Sequence, residues 1–198
     1  MSMSKLWYRA RLSARDLIRD RRGLAAIEFA MLVPIMLVMF FGTVELSSGV
    51  AVDRKVTLAA RTLSDLTSQS SSVSSTDLNS FFNVKNAMLT PYSATPVQAT
   101  ITELFVDPIT LKARVQWSVG SAPRSTSSVV GIPAALAIAN SYLIMGEVSY
   151  LYKPAVGYVM SKSGINLTST AYTRPRQTQC VIYPTPPVGT PPPACPKL

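Results

Sequence analysis

The sequence predicts an α+β fold: a long N-terminal helix, transmembrane in its first half and extended beyond the bilayer in its second, followed by a small antiparallel sheet domain with accessory helices. Three observations carry this expectation. An apolar run lies between Gly23 and Leu46, apolar residues keep helical spacing as far as Leu66, and segments of β-forming residues separated by turn residues fill the second half of the chain. With 198 residues the chain fits one modest domain with appendages, so a single core is the upper limit.

The apolar run is the first element. No charged residue occurs from Phe29 to Val44, and extending the stretch back to Leu24 adds only Glu28. About 22 residues at roughly 1.5 Å each give about 33 Å of helix, enough for a hydrocarbon layer of about 30 Å. A cleaved secretory signal peptide fits less well, because the run is too long and Glu45 to Gly49 make a weak cleavage site. Pro34 interrupts the backbone hydrogen-bond ladder, which in a membrane helix produces a local bend; it is either simply tolerated there or used for packing.

Charge sets the direction. The net charge of +9 is concentrated at the start, where Lys5, Arg9, Arg11, Arg15, Arg19, Arg21 and Arg22 stand against Asp16 and Asp20. Positive charge beside a membrane helix stays in the cytoplasm, so residues 1–23 read as a basic cytoplasmic leader and everything after about Leu46 as exported. The remaining twelve basic and eight acidic side chains are dispersed without the basic-aromatic interleaving of single-strand binders. Nucleic acid is therefore not an expected partner, whereas membrane lipid is.

Beyond the bilayer, Val52, Val56, Ala59, Leu63 and Leu66 recur at spacings of four and three, so the helix is expected to span 24–66. The stripe serves either its own domain's core or a seam between subunits. Serines and threonines of 67–76 read as a linker. Residues 74–89 follow as a helix capped by Ser75 or Thr76. The stretches 98–107 and 111–120 read as a hairpin around Asp107-Pro108-Ile109-Thr110, 132–143 as a short helix from Pro133, and 143–154 as a strand. A last strand lies near 165–176. Tyr150 and Tyr152 share one face of their strand, where packing is the simpler reading than ligand contact. The domain thus occupies 67–179, and 180–198, with seven prolines, forms an extended tail without a core of its own. Cys180 and Cys195 are the only cysteines; in an oxidising compartment they can close a disulfide, the alternatives being two thiols or pairing with a partner.

The chain has no histidine, which removes the usual nucleophile-base arrangements and most metal sites. No phosphate-binding loop is present, and Glu103, Asp107 and Glu147 have no recognisable acid/base spacing. Asn166-Leu167-Thr168 meets the glycosylation sequon and carries no further implication. The expectation is a protein that is not an enzyme, with no cofactor, no metal and no small-molecule substrate.

Glu28 requires a reason, since a carboxylate at the centre of a membrane helix costs about 2.5–3.5 kcal/mol. It lies about one turn inside the apolar segment and could rest at the cytoplasmic interface, near the positive end of the helix dipole. Alternatively, cleavage between Gly23 and Leu24 would create an α-amine with a pKa around 8, and the amine of one subunit could neutralise the carboxylate of its neighbour.

The stretch RRGLAAIEFAMLVPIMLVMFFGTVELSSGVAVDRKVTLAARTLSDL resembles the TadE/TadF-like family, minor pilins or pseudopilins of the tight-adherence (Tad) pilus, a type IV-like pilus of bacteria. Arg22-Gly23, Glu28-Phe29, Pro34 and Glu45 carry the resemblance, and GEVSYLYKP and STAYTRPR resemble later parts of such proteins more loosely. The resemblance implies a pilin-like domain and cleavage by a prepilin peptidase after Gly23. It makes Glu28, with Phe29 and Pro34, the residues of filament register and assembly. It further implies other Tad pilus subunits and an inner-membrane assembly platform as partners, and a single-pass location in the bacterial inner membrane, with possible incorporation into a surface pilus. An uncleaved signal-anchored periplasmic binding or scaffold protein is the alternative.

Overall fold

A computed structural model describes residues 23–93, 95, 97–154, 163–191 and 193–197; the basic leader read from residues 1–22 lies outside them. Helix α1 runs from Leu24 to Ser68 and continues through Pro34. It ends where hydroxyls compete for backbone carbonyls: Thr67 Oγ1 donates to Leu63 O at 2.9 Å and Ser68 Oγ to Asp65 O at 2.7 Å. The chain divides into two compact units at Glu45/Leu46, so the first part of α1 is one unit and residues 46–198 are the other.

In the second unit, α1 buries Val52, Val56, Ala59 and Leu63 of the stripe read from the sequence, and also Ala60, together with Ile101, Ile144, Val148 and Tyr150 of the sheet. The intradomain reading of the stripe therefore holds for these residues, while Leu66 is half-buried. The approach is close at Gly146, where a Cβ would stand 2.7 Å from Ala60 O, so only glycine lets the helix settle on this strand.

Helix α2 spans Ser75–Leu89. Its cap is Ser74, one residue before the earliest position read from the sequence: Ser74 Oγ accepts from Asp77 N at 3.2 Å while Asp77 Oδ2 accepts from Ser74 N at 2.9 Å. The carboxylate three residues on selects Ser74, because the reciprocal pair satisfies two otherwise orphaned amides. At the other end Lys55 Nζ donates to Met88 O at 3.0 Å and Thr90 O at 2.8 Å, so a cation from α1 closes the carbonyl end of α2.

The sheet comprises β1 (Val97–Val106), β2 (Ala113–Gly120), β3 (Val129–Val130), β4 (Tyr142–Tyr152) and β5 (Ile165–Thr173). Its order is β3-β2-β1-β4-β5, antiparallel throughout and curled. The β1–β2 turn is built by Asp107, whose Oδ1 accepts from Ile109 N and Thr110 N, both at 2.8 Å; these amides hold its carboxyl below the usual range. A bulge follows Glu103: Glu103 pairs with Trp117 and Leu104 with Val115.

Residues 132–143 do not form the helix read from the sequence. They make one 3-10 turn, Ala134–Leu136, and then a second turn over Ala139–Asn140, with Asn140 at φ 59°, before β4 begins at Tyr142. Alanine favours a helix, but so short a run has little stability alone. Tertiary packing decides instead: Ile132 and Leu136 lie against Leu104, Val106, Leu143 and Met145 on the sheet face away from α1, and Tyr142 enters β4 opposite Phe105. Strand β3, two residues long, leaves no readable pattern.

The other difference concerns the serine-rich stretch and the proline-rich tail, which pair with each other. Val73 N donates to Ile182 O at 2.9 Å, Ile182 N to Ser71 O at 3.1 Å and Thr185 N to Val73 O at 3.0 Å. Val181 is fully buried in the main core. Cys180 and Cys195 are disulfide-bonded, and Cys180 packs with Phe105 and Tyr142. Residues 180–185 thus form a strap across the sheet rather than a free tail. Proline limits the strap to an extended path but does not prevent its valine and isoleucine from entering a core that other elements supply.

Candidate functional site

Taken by itself, the first part of α1 is an apolar helix whose side chains find no cover. Leu24, Ile27, Phe29, Met31, Met36, Met39 and Phe40 are all exposed, Phe29 by 66%. The polar Thr43 is accommodated internally, its Oγ1 donating to Met39 O at 2.8 Å. The helix starts at Leu24, directly after an exposed Gly23, and Glu28 and Pro34 are exposed as well. Gly23, Leu24, Glu28, Phe29 and Pro34 are therefore carried, exposed, along about three turns of one helix. Glu45 contrasts with them, at 3% exposure.

No group of three or more His, Cys, Asp or Glu side chains able to hold a metal occurs among the described residues. In residues 46–198 the charged groups are mostly committed to structure. Arg124 holds Glu147 in a bidentate pair at 2.5 and 2.9 Å, Arg176 pairs with Asp65, and Arg114 lies 3.8 Å from Asp107. An open groove of about 650 Å³ between α1 and β5 is lined by Thr57, Arg61, Asp65 and Tyr172.

In the sequence Glu103 stands only as a carboxylate without acid/base spacing, and its burial is not reached from there. Glu103, on β1, is completely buried; its Oε1 accepts from Val181 N at 2.6 Å, and its Oε2 has no hydrogen-bond partner among the described residues. Burial pushes its pKa up to about 8, against the Val181 amide and the Trp117 side chain, which favour the charged form. Trp117 Nε1 donates to Val181 O at 2.8 Å, so the same strap residue is gripped from two strands. The only available signal was a glutamate in the otherwise uncharged β run ATITELFV, and a strand with one wet face carries such a residue routinely.

Among the described residues one helix is long and apolar enough to cross a membrane and is uncovered over that length; together with the small α+β domain it fits a single-pass membrane-anchored type of protein. Within that class the family model of TadE-like proteins matches residues 23–64, so this segment is TadE-like, as Arg22-Gly23, Glu28-Phe29, Pro34 and Glu45 indicated. The match starts at Gly23 and ends within the buried part of α1. No curated protein and no solved structure matches the chain.

Proposed function

We propose that the protein is a membrane-anchored minor pilin or pseudopilin-like subunit in the assembly of a Tad-type adhesive pilus, processed by a prepilin peptidase after Gly23. The observation that carries this reading is the TadE-like match over residues 23–64, on a helix whose apolar half is uncovered. Uncovered apolar surface of this extent needs either lipid or the equivalent helices of other subunits, and an assembling pilin uses first one and then the other. The role is one of packing rather than catalysis.

In this reading the leader 1–23 stays in the cytoplasm, held by its basic residues, and residues beyond about Leu46 reach the periplasm from the inner membrane. Cleavage frees the Leu24 amine next to the apolar segment. Glu28 then pairs with the Leu24 amine of a neighbouring subunit and sets register, while Phe29 and Pro34 shape the contact. The partners are the prepilin peptidase, other Tad pilus subunits and the inner-membrane assembly platform. The disulfide agrees with an oxidising compartment.

The experiment is the intact mass and N-terminal sequence of the membrane-extracted protein from cells with and without their prepilin peptidase. A chain that begins at Leu24 only when the peptidase is present is the expected result. A chain that keeps residues 1–23 in both strains would instead make the protein an uncleaved signal-anchored periplasmic binding or scaffold protein.

A further inference from the structure

The pilus reading makes no use of Glu103, the one fully buried carboxylate among the described residues of the sheet. What covers it is the strap. Val181, itself fully buried, donates its amide to Oε1 and accepts from Trp117 through its carbonyl. Outside that grip, residues 181–185 are tied by three backbone hydrogen bonds to Ser71 and Val73, by Tyr183 Oη against Ser75 Oγ at 3.4 Å, and by packing of Ile182 and Tyr183. The strap is thus the cover whose removal disturbs the fewest other contacts, whereas β2 and β4 are bonded along their lengths to β1.

We propose that Glu103 and the strap form a proton-dependent clasp: the strap stays seated on the sheet while Glu103 is neutral, and ionisation of Glu103 favours its lifting away. An ionised carboxylate in this site would keep one amide donor and leave its second oxygen without a partner, in surroundings that cannot replace water. Opening the strap admits water at the cost of a few hydrogen bonds and of the burial of Val181.

The groups around Glu103 leave it no counter-charge. On β1 its same-face neighbours are Ile101 and Phe105, β2 brings Trp117, and β4 brings Ile144 and Tyr142. Tyr142 is neutral over the relevant range, its pKa raised by burial and then by the charge of Glu103. From the strap come Val181 and the disulfide-bonded Cys180, which does not titrate, with Tyr183 against the Trp117 ring at 5.4 Å. At the end of α1, Arg61 is exposed and Asp65 is paired with Arg176; Arg114 is engaged by Asp107. No lysine or arginine is ion-paired with Glu103 among the described residues.

The sign follows from linkage. The seated state holds its proton up to about pH 8, and the ordinary value for the opened, hydrated carboxyl is 4.5. The seated form is therefore favoured fully below the ordinary value, and this advantage is lost as pH rises through the window between the two. Within the window the open-to-seated ratio increases about tenfold per pH unit, and it levels off above the higher value.

The test is hydrogen exchange of the full chain in detergent micelles, read as the ratio of the observed exchange rate in the strap (Val181, Ile182) to the rate of the same amide in an unstructured chain at the same pH, which cancels the intrinsic pH dependence, with the sheet centre (Ile101, Ile144) exchanging more slowly than the strap throughout. The expected result is a rise of about a hundredfold between about pH 5 and pH 7 in the wild type, and a flat ratio in Glu103→Gln. A flat wild-type ratio overturns the clasp, and so does an equal rise in Glu103→Gln. Acrylamide quenching of Trp117 in a Trp7→Phe background gives a second reading that needs no change at Glu103. It must increase over the same window, and a constant value overturns the proposal.

Discussion

At the scale of the residue, two glutamates stand where charge is costly, and they are accommodated differently. Glu103 is enclosed by its own chain and responds by holding a proton. Glu28 is exposed on an apolar helix, so its solution has to come from outside the chain. This difference predicts the behaviour of Glu28→Ala. Removing a carboxylate from a membrane helix relieves a cost of up to about 2.5–3.5 kcal/mol, so the variant inserts at least as well as the wild type. Under the proposed pilin reading it is nevertheless expected to lose pilus assembly, because the partner proposed for the Leu24 amine is gone. Membrane fractionation together with counts of surface pili checks this, and normal piliation would remove Glu28 from the register role. The two sites were also unequally readable. Glu28 breaks an apolar run of helical length and shows itself in one dimension, whereas the burial of Glu103 depends on a strap that arrives 78 residues later.

At the scale of the element, α1 is one helix with two solvents. Its first part exposes large apolar side chains all around, and its second part hides one stripe. Leu63→Ala should therefore destabilise the domain by about 2–5 kcal/mol, since Leu63 is among the largest fully buried side chains. Leu37→Ala, in the exposed part, should leave the domain's melting temperature unchanged. Thermal melts of both full-length variants in micelles, followed by near-ultraviolet dichroism, distinguish them; equal shifts would contradict this division of α1. The elements that periodicity specifies were legible for the same reason: the stripe of α1, the extent of α2, and strands β1, β2, β4 and β5 each carry a local pattern. The run 132–143 was misread because its alanines report helix propensity, while its actual role is to lay Ile132 and Leu136 on the far face of the sheet. The Ser74 cap was one residue away from the reading because the reciprocal bond to Asp77, not the serine alone, decides the position.

At the scale of the folded domain, residues 46–198, the question is whether the proline-rich end belongs to the cooperative unit. Composition alone suggests not, since proline, glycine and threonine cannot build a core. Yet the strap supplies a valine with no solvent exposure, a cysteine with 1%, and backbone partners for Ser71, Val73, Glu103 and Trp117. Deleting residues 180–198 would forfeit burial of Val181, about 1.5–3 kcal/mol, and several hydrogen bonds at about 1 kcal/mol each. The loss is on the order of 5 kcal/mol, comparable to the lower end of the roughly 5–15 kcal/mol that holds a typical domain together. For a domain of this size about 2–4 °C accompany each kcal/mol, so the chain ending at residue 179 should melt about 10–20 °C lower than the intact protein. It should also lose the pH dependence of the intact domain between about pH 5 and pH 8, because Glu103 then meets water and titrates as an ordinary carboxyl. Melting curves of the two full-anchor proteins at both ends of that range decide the matter. A truncated chain that melts within a few degrees of the intact one would return the last 19 residues to the status of an appendage. A large drop with the pH dependence lost would mean that the tail completes the core and sets how that core responds to protons.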